Sequence, residues 1–271
     1  NWLGYPGTMG AEFMDYIITD RFITPPDYAP FFSEKLVSLP DCYQVNDRKR
    51  EIAKQALTRA ECGLPVKGLV FCCFNNTYKI MSAVFDIWMR MLRRIPGSVL
   101  WLLEANAGAA ANLRREAQAR GVEPERLVFA PRMPLAQHLA RHRNADLFLD
   151  TWPYNAHTTA SDALWAGLPV LTCAGETFAS RVAGSLLTAI GLPELITHSL
   201  SEYEARALQL ALHPSELANL RKRLAKNRLT APLFDSERFT RHLERAYQMM
   251  WETHLKGEAP RRIEVPRVEI H

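Results

Sequence analysis

No apolar run in this 271-residue chain approaches the roughly 18 residues needed to cross a bilayer, and no signal peptide opens it. No membrane partner is therefore expected. The chain starts at Asn1 rather than Met, inside a stretch that reads as structured, so it is expected to be a fragment whose missing targeting signals exclude little. The five cysteines (Cys42, Cys62, Cys72, Cys73, Cys173) form no CxxC pair. Three of them lie in apolar runs where a thiol packs as a small hydrophobe, and a reduced, cytoplasmic setting fits. A dominant sign of charge is lacking as well: 33 basic against 29 acidic residues leave a net charge of +4, too small and dispersed to argue for nucleic acid. The basic runs at 48–50 and 221–223 read as solvated helix faces. Internal repeats and low-complexity tracts are absent, and so is the GxGxxG dinucleotide fingerprint. Gly4, Gly7 and Gly10 recur every three residues before an apolar patch at 13–18 and read as a turn-rich loop.

What the chain does hold is alternation. Its 48% hydrophobic content is enough for a substantial core, in one large domain or two small ones. Residues 24–30 (TPPDYAP) read as an irregular linker because adjacent prolines forbid helix and ladder pairing. A short strand is expected at 37–39 and a charged helix over 47–63. Continuous apolar runs at 68–74, 99–103, 126–129, 145–149 and 168–172 read as strands buried on both faces. Helical patterns at 82–94, 109–120, 134–143 and 159–166 separate them. Strands alternating with helices imply βαβ units and an α/β fold with a doubly wound parallel sheet. Beyond it come an amphipathic helix over 175–191 closed by Gly191, an extended piece at 193–196, and helices at 201–212, 214–229 and 235–255. The last carries an apolar stripe of Phe239, Leu243, Ala246, Tyr247, Met250 and Trp251 that is expected to pack on a protein surface. The tail, 257–271, alternates prolines and charges and is expected to be disordered or wrapped on the surface.

The chemistry concentrates in residues 150–173, DTWPYNAHTTASDALWAGLPVLTC, which join a buried strand to a helix start and then to the next strand. Ligands of parallel α/β sheets sit beyond the strand ends, where a helix N-terminus offers unpaired N–H groups to a phosphate. His157, Thr158 and Thr159 are placed to hold the diphosphate of a nucleotide sugar. The same residues also admit a purely structural account, because Thr159 and Asp162 have capping-box spacing. Lys79, on the connection after the 68–74 strand, reaches the same crevice or is simply exposed. His138 and Arg141 share a helix face at i and i+3, where an imidazole stacks on a base and a guanidinium pairs with phosphate. His138 alone reads equally as a surface histidine.

The segments LGYPGTMGAEFMDYIITD, FCCFNNTYKI and RIPGSVLWLLE, with HTTxxDxLWAGxP and GETxxSRVAxS at the right separation, make the chain resemble glycosyltransferase family 41. This is the family of the O-GlcNAc transferases and Spindly-type proteins, and the resemblance runs from Trp2 to about Leu255. It implies the Rossmann-like C-terminal lobe of a GT-B glycosyltransferase with C-terminal helices. On that pattern residues 1–46 end the N-terminal lobe and linker, 47–256 form the nucleotide-sugar lobe, and 257–271 are a tail. The first lobe and tetratricopeptide repeats of such proteins would lie outside this chain. Without the inter-lobe insertion of animal members, it is similar to the compact bacterial ones.

The resemblance further implies an inverting, metal-independent transfer of GlcNAc from UDP-GlcNAc to protein Ser or Thr hydroxyls, with no cofactor. Lys79 would stabilise the diphosphate, His138 would stack on uracil near Met133, and Arg141 would lie beside it. His157, Thr158 and Thr159 would bind phosphate, Asp162 the ribose, and Leu3 and Gly4 the sugar through their backbone. Asn76 stands where animal enzymes have Gln, and Leu135 where they have Lys near the base, so the nucleotide contacts depart there. No Asp-x-Asp metal motif occurs, and the general base would come from the other lobe. The alternatives are another donor such as GDP-fucose or UDP-glucose, a nucleotide-binding fragment without turnover, or a sugar-nucleotide epimerase. An epimerase would need an acid and base carboxylate pair that the sequence does not offer.

Overall fold

The computed structural model describes residues 1–55 and 57–267. The chain opens with two parallel strands, β1 (Tyr16–Asp20) and β2 (Lys35–Leu39), in register Ile17↔Leu36 and Ile18↔Val37. The glycine-spaced stretch before β1 is a loop, as its turn residues predict, but the apolar patch that follows extends into a strand. Asp20 closes β1 as a buried hub: its carboxylate accepts from the amides of Phe22, Ile23 and Tyr43 and from Ser185 Oγ, and burial raises its pKa.

The large sheet then forms from β3 (Val70–Cys73), β4 (Val99–Leu103), β5 (Leu127–Ala130), β6 (Leu147–Leu149), β7 (Val170–Cys173) and β8 (Ile196–Thr197). All six are parallel, in the order β5-β4-β3-β6-β7-β8. The connecting helices are α1 (Ser82–Arg94), α2 (Ala107–Ala119), α3 (Leu135–Arg141), α4 (Thr158–Trp165) and α5 (Val182–Ala189), followed by α6 (Leu200–Leu212), α7 (Pro214–Thr230) and α8 (Ser236–Leu255). Strands such as VFCC are apolar at every position because helices cover both faces, as expected of a doubly wound sheet. The helix expected at 175–191 is shorter and, over α5, buried nearly all round rather than amphipathic. The extended piece expected at 193–196 is instead a 3-10 turn, Pro193–Leu195, and the sixth strand starts only at Ile196.

Four further expectations are corrected. Among the described residues of 47–63 there is no helix. Their charges bond across the molecule instead of along a helix face: Arg50 pairs with Asp162, and Arg59 with Asp146 and the Gly68 carbonyl, so tertiary contacts override propensity. For the same reason Arg50 is no solvated helix residue, and Arg221 reaches the carbonyls of Ala145 and Asp146. The tail forms β9 (Ile263–Glu264), a third parallel strand on β2, with Ile263 and Val265 buried; residues 268–271 lie outside the described ones. Finally, the α8 stripe divides. Phe239, Leu243, Ala246 and Met250 pack on the small sheet, where Phe239 stacks on Trp2, while Tyr247 and Trp251 are exposed. Among the described residues no helix is long and apolar enough to cross a membrane.

Candidate functional site

The strand order reverses between β3 and β6: the chain runs outward from β3 through β4 and β5, then returns to β6 beside β3. Such a switch point opens a crevice at the strand C-ends. The loops leaving β3 and β6 deliver five of the candidate residues there, Asn76, Lys79, His157, Thr158 and Thr159. Asn76, Lys79, Thr158 and Thr159 line one cleft together with Asn75, Tyr78, Tyr154, His157 and Arg132. A second cavity, lined by Leu3, Gly4, Tyr5 and Tyr43, adjoins it through the shared residues Tyr154 and His157.

Lys79 ends a 3-10 turn, Thr77–Lys79, that follows β3. Its Nζ donates to the Asn155 carbonyl at 2.9 Å and lies 3.8 Å from the centre of the Tyr154 ring. Burial lowers its pKa, with Asp150 acting against that shift. Opposite, α4 starts at Thr158, with His157 at the N-cap making no side-chain capping bond. The capping-box account of Thr159 and Asp162 is therefore corrected: the helix begins one residue earlier, Thr159 Oγ1 donates to Asn75 Oδ1, and the Asp162 carboxylate pairs with Arg50. The first-turn N–H groups of α4 have no side-chain cap, which leaves the positive end of the helix dipole facing the cleft. Burial, then the nearby Lys79, push His157 down to about 4, so its imidazole is neutral near pH 7.

Asp162 is nearly buried, and burial raises its pKa against the pull of Arg50. It pairs with Arg50, and neither residue lines the main cleft. His138 packs its ring on Phe74 at 5.3 Å and on His142 at 4.9 Å, and burial pushes its pKa down to about 3. Arg141 does not pair with a phosphate-facing surface as its helix position suggested. It is 1% exposed, lies over Phe74 at 4.5 Å, and donates to the Pro131 carbonyl at 2.7 Å and to His138 Nδ1 at 2.6 Å. Arg141 thereby fixes the orientation and tautomer of His138, leaving Nε2 to carry the proton. Met133 is half-buried in the loop between β5 and α3 and, like His138, is not among the residues that line the cleft. Leu3 holds a φ of 57°, a left-handed conformation that costs a non-glycine residue about 1–2 kcal/mol, at the wall of the second cavity.

Several residues around the site were not singled out by sequence. Asp150, at the end of β6, accepts from Asn75 Nδ2, the amides of Thr151 and Ala156, and Thr172 Oγ1, and burial lifts its pKa to about 6. It holds Asn75, which in turn takes the Thr159 hydroxyl. An acidic residue closing the apolar run LFLD was the available signal. Tyr154 and Arg132 gave none, since loop course decides their placement. Arg132 lines the cleft, exposed and without a partner among the described residues. Among those residues no group of three or more His, Cys, Asp or Glu side chains stands ready to hold a metal.

The chain is 42% identical to a probable UDP-N-acetylglucosamine--peptide N-acetylglucosaminyltransferase SEC of Arabidopsis thaliana, over 98% of this chain and 28% of the relative. To a rice SPINDLY protein of the same description it is 35% identical, over 96% of this chain and again 28% of the relative. The chain thus spans under a third of those relatives' length. An O-GlcNAc transferase mutant of Thermobaculum terrenum superimposes with a TM-score of 0.83 at 33% identity, covering 94% of this chain and 48% of that one. A sucrose-phosphate synthase from Thermosynechococcus elongatus, at 17% identity and a TM-score of 0.61 over 88% of this chain and 59% of that one, shares the fold alone. The model of the family described as "Glycosyl transferase family 41" matches residues 1–57 and 50–243, and the chain belongs to that family.

Proposed function

We propose that this chain supplies the donor-binding half of a protein O-GlcNAc transferase, holding UDP-GlcNAc while a Ser or Thr hydroxyl of an acceptor protein attacks the anomeric carbon with inversion and UDP leaves. The observation that carries this reading is the convergence, at one switch point, of the Lys79 ammonium from the β3 side and the uncapped start of α4 from the β6 side. Both favour negative charge building on a diphosphate leaving group. The reading places the diphosphate between Lys79 and His157, Thr158 and Thr159. It places the uracil toward Asn76, Met133 and His138, with Arg141 positioning the imidazole, and the sugar beside Leu3 and Gly4. Asp162 would meet the ribose from its pair with Arg50. No Asp-x-Asp motif is present, and in this reading Lys79 and the helix carry the charge without a divalent ion or cofactor. The base for the attacking hydroxyl is not assigned to any residue of this chain.

Calorimetric titration with UDP and GDP tests the reading. UDP should bind more tightly than GDP, and added EDTA should leave its affinity unchanged. Lys79→Ala removes a charged hydrogen bond worth about 1.5–3 kcal/mol, a loss of about 10- to 150-fold in affinity. UDP affinity unchanged by that substitution would falsify the assignment of Lys79 to the diphosphate.

A further inference from the structure

A lysine presented by a short 3-10 turn has a long, rotamer-rich side chain, and something must set where its ammonium points. Here two groups do. The Asn155 carbonyl accepts one proton at 2.9 Å, and the face of the Tyr154 ring takes the ammonium at 3.8 Å from its centroid. An ammonium has three donors, so these contacts leave one for an acceptor entering the cleft. The Tyr154 ring is itself fixed. Its backbone carbonyl accepts from Thr151 Oγ1 at 2.7 Å, and the ring meets His157 edge to face at 5.1 Å and 81°. It also forms part of both the cleft and the adjoining cavity.

We propose that Tyr154 is a positioning residue that seats the Lys79 ammonium, through its ring face, for the diphosphate of the donor. The inference rests on the function proposed above and adds to it the residue that presets the cation. The phenol hydroxyl plays no part; the π-face does, so phenylalanine serves equally and an aliphatic side chain of similar bulk does not.

UDP titration of a double-mutant cycle tests this. Tyr154→Phe should keep UDP affinity within about 2-fold, because the ring face is retained. Tyr154→Leu should weaken UDP by about 5- to 30-fold, the range of a partly buried cation–π contact. In the Lys79→Ala background the same Tyr154→Leu change should have an effect under about 2-fold, because the cation it seats is gone. Melting curves on each variant separate lost folding from lost binding, and Tyr154→Trp provides a second ring-bearing variant. A Leu variant that binds UDP like the wild type overturns the inference. An equal loss with and without Lys79 also overturns it, since Tyr154 would then contact the nucleotide independently. A wild-type chain that does not bind UDP overturns the proposed function itself, a result distinguishable from either.

Discussion

At the scale of single residues, Asp150 shows what it takes to build a polar crevice on an apolar sheet. Its carboxylate is 1% exposed and saturated by four donors, yet burial still holds its pKa up at about 6. A raised folded-state pKa means that the bound proton stabilises the fold: that contribution is complete below 3.8 and is lost as pH rises through about 6. Asp150→Asn cannot take up this proton, while its amide still faces the Thr172 hydroxyl. The wild type should therefore gain on the variant as pH falls from 7 to 4, by up to about 3 kcal/mol. Melting curves of both proteins at pH 7 and pH 4.5 check the sign, and a difference that does not move with pH would count against it. Residue positions were readable where they followed a strand end, as Lys79 and His157 do. Arg141 was not, because i and i+3 spacing shows only that it shares a helix face with His138 and says nothing of that face turning inward onto Phe74 and Trp101.

At the scale of elements, β3 must enter the sheet close to the turn before β4, and Gly68 makes that possible. Its φ is +108°, and a Cβ there would lie 2.3 Å from the Gly97 carbonyl oxygen. Gly68→Ala thus combines a strained backbone with a clash against main chain, and should cost about 2–4 kcal/mol. Gly97, with φ +74° and nothing within 4 Å of a Cβ, carries only the conformational term, about 1–2 kcal/mol on conversion to Ala. Urea unfolding of the two variants should rank them in that order; equal losses would mean the Gly97 carbonyl moves aside freely. The strands of this sheet were legible as apolar runs, since burial on both faces leaves a signal that needs no partner. The 47–63 stretch misled for the opposite reason: its charge pattern suits a helix in isolation, and only the presence of Asp162 and Asp146 across the molecule draws Arg50 and Arg59 into extended contacts.

At the scale of the whole molecule, the second cavity depends on the far end of the chain. The amine of Asn1 donates to the Tyr16 carbonyl and the Ile18 amide donates to the Asn1 carbonyl, which hangs Leu3 and Gly4 from the edge of β1. On its other side β1 pairs with β2, which is paired in turn with β9. A two-residue strand joining a partner so distant in sequence leaves no local signature, so the tail read as surface chain. Burial of Ile263 and Val265 contributes about 1.5–3 kcal/mol each, offset in part by the entropy of ordering the segment. A chain ending at Gly257 should therefore loosen the small sheet while leaving the large one intact. Amide hydrogen exchange at Ile17, Ile18 and Val37 should quicken by about 10-fold or more, with Phe71 and Cys72 unchanged. Equal acceleration in both sheets would show that they open as one unit, and that the cavity wall draws its stability from the whole fold rather than from β9.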